Sequence, residues 1–125
     1  MTAAAVALGG ALGALARWGL SDWVQGRTGL QFPWGTLAVN LVGAFLLGLA
    51  YGAFEHVELS ADLRAFLTLG FLGAFTTFST FSYEGVLLLQ SGETARAVGY
   101  LGGSVVSGVL LAVLGLSLGR ALGSG

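Results

Sequence analysis

A chain of 125 residues with only 9% charged side chains cannot coat a water-soluble globule of its size, since soluble domains carry about a quarter. The net charge is −1 and the basic residues are scattered arginines (Arg17, Arg27, Arg64, Arg96, Arg120), which excludes a basic patch for a nucleic acid backbone. With no cysteine and a single histidine, His56, the chain also lacks disulfides, thiolate chemistry and the partners for a histidine metal site.

What remains is apolar: 55% of the residues are hydrophobic and 22 are glycine. A membrane-crossing helix needs about 20 mostly apolar residues, and four windows supply them, at roughly 2–20, 35–54, 63–90 and 97–118. The first holds one charge, Arg17, near its end, and Gly9-xxx-Gly13 gives it a face for close packing. A small-residue pattern at Ala14-Leu15-Ala16 resembles a signal cleavage site, but no basic residue precedes the apolar run, so this window is expected to stay as a span. The connection at 21–34 contains Asp22, Arg27 and Pro33, with Trp23 and Trp34 suited to the membrane interface. In the second window the strongly polar residue is Asn40, whose simplest role is a hydrogen bond between helices and whose alternative is to offer N–H donors to a passing anion.

The third window departs from an ordinary span. Residues 70–84 alternate phenylalanines with hydroxyls beside Gly70 and Gly73, and both Thr/Ser and Gly weaken a helix. A break near 73–77 is predicted. Unwound backbone at membrane depth is tolerated only inside protein or along a wet cavity, and its freed carbonyls suit a small cation. Beyond it, Phe75, Phe78 and Phe81 recur on roughly one helix face with Ser79, Thr80 and Ser82 among them. Ring edges carry partial positive charge and solvate an anion weakly, while hydroxyls add donors. Glu84 is an acid near the far end of this span. The fourth window carries Tyr100, Ser104 and Ser107 as a narrow polar stripe, which fits helix packing as well as a permeation path. Arg17 either snorkels to the interface or stands at a pore mouth.

The loops are short, so residues 1–125 form one all-α bundle with no separate soluble domain. Arg64 and Arg120 fall on one side of the membrane, Arg27 and Arg96 on the other. The positive-inside rule therefore has almost no bias to act on. Chance in a chain of few charges and insertion both ways up, with an inverted partner, both remain open on charge alone.

Three motifs, Gly9-Gly10-x-x-Gly13-Ala14-x-x-Arg17, Gly35-Thr36-Leu37-x-Val39-Asn40-x-x-Gly43-x-Phe45-x-x-Gly48 and Gly70-Phe71-x-Gly73-x-x-Thr76-Thr77-Phe78-Ser79-Thr80-Phe81, resemble the CrcB/Fluc family of fluoride channels. The resemblance covers the first three helices in order and leaves the fourth without a sharp signature. It implies a passive fluoride channel in the plasma or bacterial inner membrane, built as an antiparallel, dual-topology homodimer with two pores. It further implies that Asn40 contacts fluoride, that Phe78 and Phe81 form an aromatic box, and that Thr77, Thr80 and Ser82 line or support the path. Glu84 is then expected near one mouth, with Arg17 counted among the pore residues. A structural sodium ion at the dimer interface is expected on the main-chain carbonyls of Gly73 and Thr76. Tyr100 and Ser104 resemble the start of the family's polar track; where a further hydroxyl is expected this chain has Gly108, which is left out of the expected site.

A small drug exporter of similar size would want an acid deep in the first helix, where this chain has only Arg17. A packing subunit would use the same glycines but not Asn40 or the Thr/Ser/Phe run. An enzyme has no nucleophile–base constellation to work with.

Overall fold

The computed structural model describes residues 1–29 and 31–124. Helix α1 is Thr2–Thr28 and α2 is Trp34–Phe54. The third span is split: α3 covers residues 61–75 and winds as a π-helix over Phe66–Leu72, residues 76–78 are non-helical, and α4 is Ser79–Gln90. Helix α5, Thr94–Ser124, completes the bundle, and the described residues contain no strand. All four spans are long and apolar enough to cross a membrane.

Three boundaries differ from the sequence expectation, the last helix simply running longer, Thr94–Ser124, than the expected 97–118. Helix α1 continues past residue 20, because nothing breaks it before Gly29, whose φ of 95° only glycine adopts readily. Asp22, Trp23 and Arg27 therefore ride on a helical extension, where the Arg27 guanidinium lies 4.5 Å from the Trp23 ring centroid one turn back. The break starts later than residue 73. Gly73 is still helical (φ −62°, ψ −39°) and the chain first turns extended at Thr76 (φ −95°, ψ 160°).

The turn between α1 and α2 is pinned by one side chain. The Gln25 amide donates to the carbonyls of Gly29 and Phe32, and its oxygen accepts the Gly35 N–H at 3.0 Å. At the opposite end of the bundle Arg120 pairs with Glu55 at 2.9 Å, and the Met1 ammonium with Asp62 at 3.0 Å. The N-terminus, the α2–α3 loop and the C-terminus thus share one side, as four crossings require. These pairs are solvent-exposed, and such pairs contribute little to stability.

Tight packing comes from small residues. On α2, Gly48 and Gly52 face the α5 backbone; on α5, Gly115, Gly119 and Gly123 face the α2 backbone. A Cβ on Gly115 would overlap the Phe45 carbonyl oxygen, and one on Gly119 that of Leu49. Between α1 and α3 the same holds for Gly9 against Phe66 and Gly13 against Phe71. This is how helices associate in lipid, where apolar side chains gain little by leaving one oily phase for another. The buried core is accordingly small, with one contiguous cluster of Phe81, Leu88, Ala97 and Tyr100 and further buried side chains at Val39, Ala65, Leu72 and Phe75, while many leucines and valines point outward.

Gly119→Val should therefore destabilise the bundle by about 3 kcal/mol, since backbone cannot retreat from the added methyls. Gly19→Ala, at an open helical position, should be neutral or slightly stabilising. Thermal unfolding of the detergent-solubilised protein by circular dichroism checks both; equal melting temperatures for the two variants would rule out this packing.

Candidate functional site

The site begins with the backbone that the break exposes. Thr76 ends α3 by turning both its N–H and its hydroxyl onto the Leu72 carbonyl, each at 3.3 Å. The next peptide unit has no helical neighbour, and Asn40 of α2 takes that place. Its Oδ1 accepts the Thr77 N–H at 2.8 Å and its Nδ2 donates to the Thr77 carbonyl at 3.0 Å. One side-chain amide thereby pairs with extended backbone as a strand would, which satisfies both main-chain groups of Thr77 away from water. Gly43, nearly one turn along α2, makes room: a Cβ there would collide with the Thr76 methyl.

Three further contacts finish the break. The Thr77 hydroxyl accepts the Thr80 N–H at 3.3 Å and starts α4, while the Ser82 hydroxyl turns back to the Phe78 carbonyl at 2.8 Å. Arg17 of α1 donates through Nε to the Ala74 carbonyl at 3.1 Å. Among the described residues, neither the Gly73 nor the Thr76 carbonyl accepts a hydrogen bond.

A cavity of about 350 Å³ opens beside the break, lined by Asn40, Thr76, Thr77, Phe78, Phe81, Ser104 and Gly108 with apolar residues of α2 and α5. No charged side chain lines it. The Ser104 hydroxyl is buried and has no hydrogen-bond partner, so it keeps a donor for something small. Phe78 and Phe81 stand 6.1 Å apart between centroids, tilted by 53°. Their settings differ: Phe81 is buried, whereas Phe78 is 79% exposed.

Phe81 leads onward to Tyr100, 5.1 Å between ring centroids. Tyr100 is 1% exposed and donates to Glu84 Oε1 at 2.9 Å, while the buried Thr36 hydroxyl donates to Oε2 at 3.0 Å. On its other side Glu84 lines a second cavity of about 270 Å³ with Ser21, Gln25 and Gln31 beneath the α1–α2 turn. Hydroxyl, ring and carboxylate thus form a continuous run from Ser104 and Asn40 to that turn.

A family profile described as CrcB-like protein, Camphor Resistance (CrcB), matches residues 4–116. The chain belongs to the CrcB family. A Thermus thermophilus relative named fluoride-specific ion channel FluC is 55% identical over 117 residues, covering 94% of this chain and 92% of the relative. Proteins of the same name from Acidobacterium capsulatum and Chloroflexus aurantiacus are 47% and 44% identical, each covering more than nine-tenths of both chains. The chain is a multi-pass membrane protein.

Of the residues expected in a CrcB site, the fold gathers Asn40, Thr77, Phe78, Phe81 and Ser104 round one cavity and joins Glu84 to Tyr100. Thr80 is exposed, Ser82 faces the backbone, and Arg17 lies on a carbonyl, lining neither cavity. Gly108, left out on sequence, lines the cavity four residues beyond Ser104 on the same face of α5. Thr36 had no assigned role either. Its position four residues before Asn40, on the same face of α2, was the available signal.

Tyr100→Phe keeps the ring against Phe81 but removes one of the two donors to Glu84, and Thr36→Val removes the other. Each should destabilise the protein by about 1–3 kcal/mol. Melting temperatures unchanged in both variants would mean the carboxylate is not held as described.

Proposed function

We propose that this chain is a fluoride-selective channel through which fluoride leaves the cell passively, protecting it against fluoride toxicity. The observation that carries the reading is the uncharged cavity at the break, lined by the Phe78 and Phe81 rings, the Asn40 amide and the unpartnered Ser104 hydroxyl. The names of relatives that align along nearly the whole chain support it. Fluoride is small and holds its water strongly, so a narrow pore must replace that water with several donors. The donors must also be weak, because conduction needs sites that release the ion. A fixed cation in the path would hold it. An interior-negative membrane supplies the drive, about 2.3 kcal/mol per charge per 100 mV.

The proposed assembly is an antiparallel homodimer in the plasma or bacterial inner membrane with two pores, each using Asn40, Thr77, Phe78 and Phe81 near the break and Ser104, Tyr100 and Glu84 towards one mouth. The even spread of arginines over both sides supports it. So does the exposure of Phe78 together with the open face of Gly99, Gly102 and Gly103 on α5, bare surface that a second copy would cover. The free carbonyls of Gly73 and Thr76 have the oxygen chemistry that suits sodium, and Gly73 is exposed, so a partner's carbonyls can complete the set. Such an ion, when bound, supplies positive charge at the interface and ties the two breaks together.

Liposomes loaded with fluoride or chloride and clamped with an ionophore test the reading: fast fluoride release with negligible chloride release is expected. Phe81→Ile should slow fluoride by removing a ring edge while keeping bulk, and dimers of normal size should still form. Asn40→Asp should also slow it, by putting a like charge in the anion's path. Full flux in the Phe81 variant would remove the ring from the path; absence of flux from a well-folded wild-type dimer would overturn the channel itself.

A further inference from the structure

We infer that Arg17 is a positioning residue that sets where the third span breaks, acting from α1 on the end of α3 and not on the permeating ion. The inference rests on the channel reading only where flux is the readout.

The last carbonyls of a helix have no helical partner. At the end of α3 they are handled one by one: Leu72 is taken by Thr76, Ala74 by Arg17, and, past the helix, Thr77 by Asn40. Gly73, Phe75 and Thr76 accept no hydrogen bond among the described residues. Of the four carbonyls from Gly73 to Thr76, that of Ala74 is the one capped among the described residues, and Arg17 caps it.

Its placement is not that of a snorkelling side chain. Arginine near a helix end normally extends to water. Arg17 instead reaches across to another span, is half-buried, and has no acidic partner among the described residues. A charge within a span is expensive and persists where it has a task. The negative end of the α3 dipole is a fitting partner for it.

The register supports the same conclusion. Gly9, Gly13 and Arg17 follow one another at four-residue steps along one face of α1. They meet α3 in the same order: Gly9 at Phe66 and Gly70, Gly13 at Phe71, Arg17 at Ala74. The two glycines bring the backbones into contact, and the arginine closes the parallel ladder at the residue before α3 ends. The π-helical winding of Phe66–Leu72 lies within this ladder. A wider turn there re-aims every following carbonyl, so a contact that fixes Ala74 fixes the outcome of that winding.

The test compares Arg17→Met, which keeps length and loses charge and donor, with Arg17→Lys, which keeps charge and a donor. Hydrogen exchange of the reconstituted protein should show faster exchange in Arg17→Met at Thr76–Ser79 amides, with α2 and α5 protected as in the wild type. Fluoride flux should fall by roughly tenfold to a hundredfold, the range that a misplacement of about an ångström costs a preorganised site. Arg17→Lys should recover most of both signals. Unchanged exchange at the break in Arg17→Met, or exchange raised evenly through all four spans, would overturn the assignment. Wild-type protein that carries no fluoride would sink the channel reading alone, and the exchange comparison would still judge Arg17.

Discussion

The structure depends on one constraint: backbone that leaves the helix inside a membrane must be held by its own protein or line a cavity, never face lipid unsatisfied. Asn40 meets it most directly, because a primary amide carries a donor and an acceptor at the spacing of a peptide group and so can stand in for one. Replacing that partner with water is not available at this depth, and leaving it out would cost about 1–3 kcal/mol for each orphaned group. Everything that makes the span unusual follows from having this partner. Thr76 can turn extended, Thr77 can start a new helix, and the rings of Phe78 and Phe81 are carried to the edge of a cavity instead of continuing the turn of α3.

An amide can only do this if α2 comes very close. Gly43 clears the space opposite Thr76, while Gly48 and Gly52, meshed with Gly115 and Gly119, hold α2 against α5. The same approach brings Ser104 and Gly108 of α5 to the cavity beside Asn40. Glycine content and polar site are therefore parts of one arrangement. The small residues set inter-helix distances, and those distances decide which short side chains can reach a neighbouring backbone.

Much of this was legible before the fold was known. Four apolar windows and the weakness of the third span follow from residue type and spacing, whereas the grouping of Asn40 with Thr77, Phe78 and Phe81 rested on the resemblance of the motifs to the CrcB/Fluc family. The exact start of the break was not, because Gly73 favours an irregular backbone only where nothing holds it in a helix, and here α1 packs along the preceding residues through Gly9 and Gly13. The extra turns of α1 were obscured by charges at Asp22 and Arg27 that look like a loop but sit comfortably on a helix leaving the membrane. On the fourth span, Gly115-xxx-Gly119-xxx-Gly123 was a visible packing face, overshadowed by the polar stripe on Tyr100 and Ser104. The partners of Glu84 were harder. A carboxylate can be spotted in a sequence, but that Thr36 and Tyr100 both turn to it depends on the meeting of three helices.

The unequal burial of the two phenylalanines carries the last step. Phe81 is locked between Phe78 and Tyr100, so its edge has a fixed direction, whereas Phe78 has most of its surface bare. A ring can stabilise an anion only if the anion meets its edge reproducibly, since the face of the same ring is repulsive. A single chain therefore buries one wall of the proposed anion path and leaves the other largely uncovered. The proposed inverted copy would cover Phe78 and the glycine face of α5 together. On this view dimerisation does more than shield apolar surface from lipid, which lipid-facing helices do not need. The proposed second copy would complete the orientation of the rings, so a chain that folds alone would be expected to remain without a conducting path.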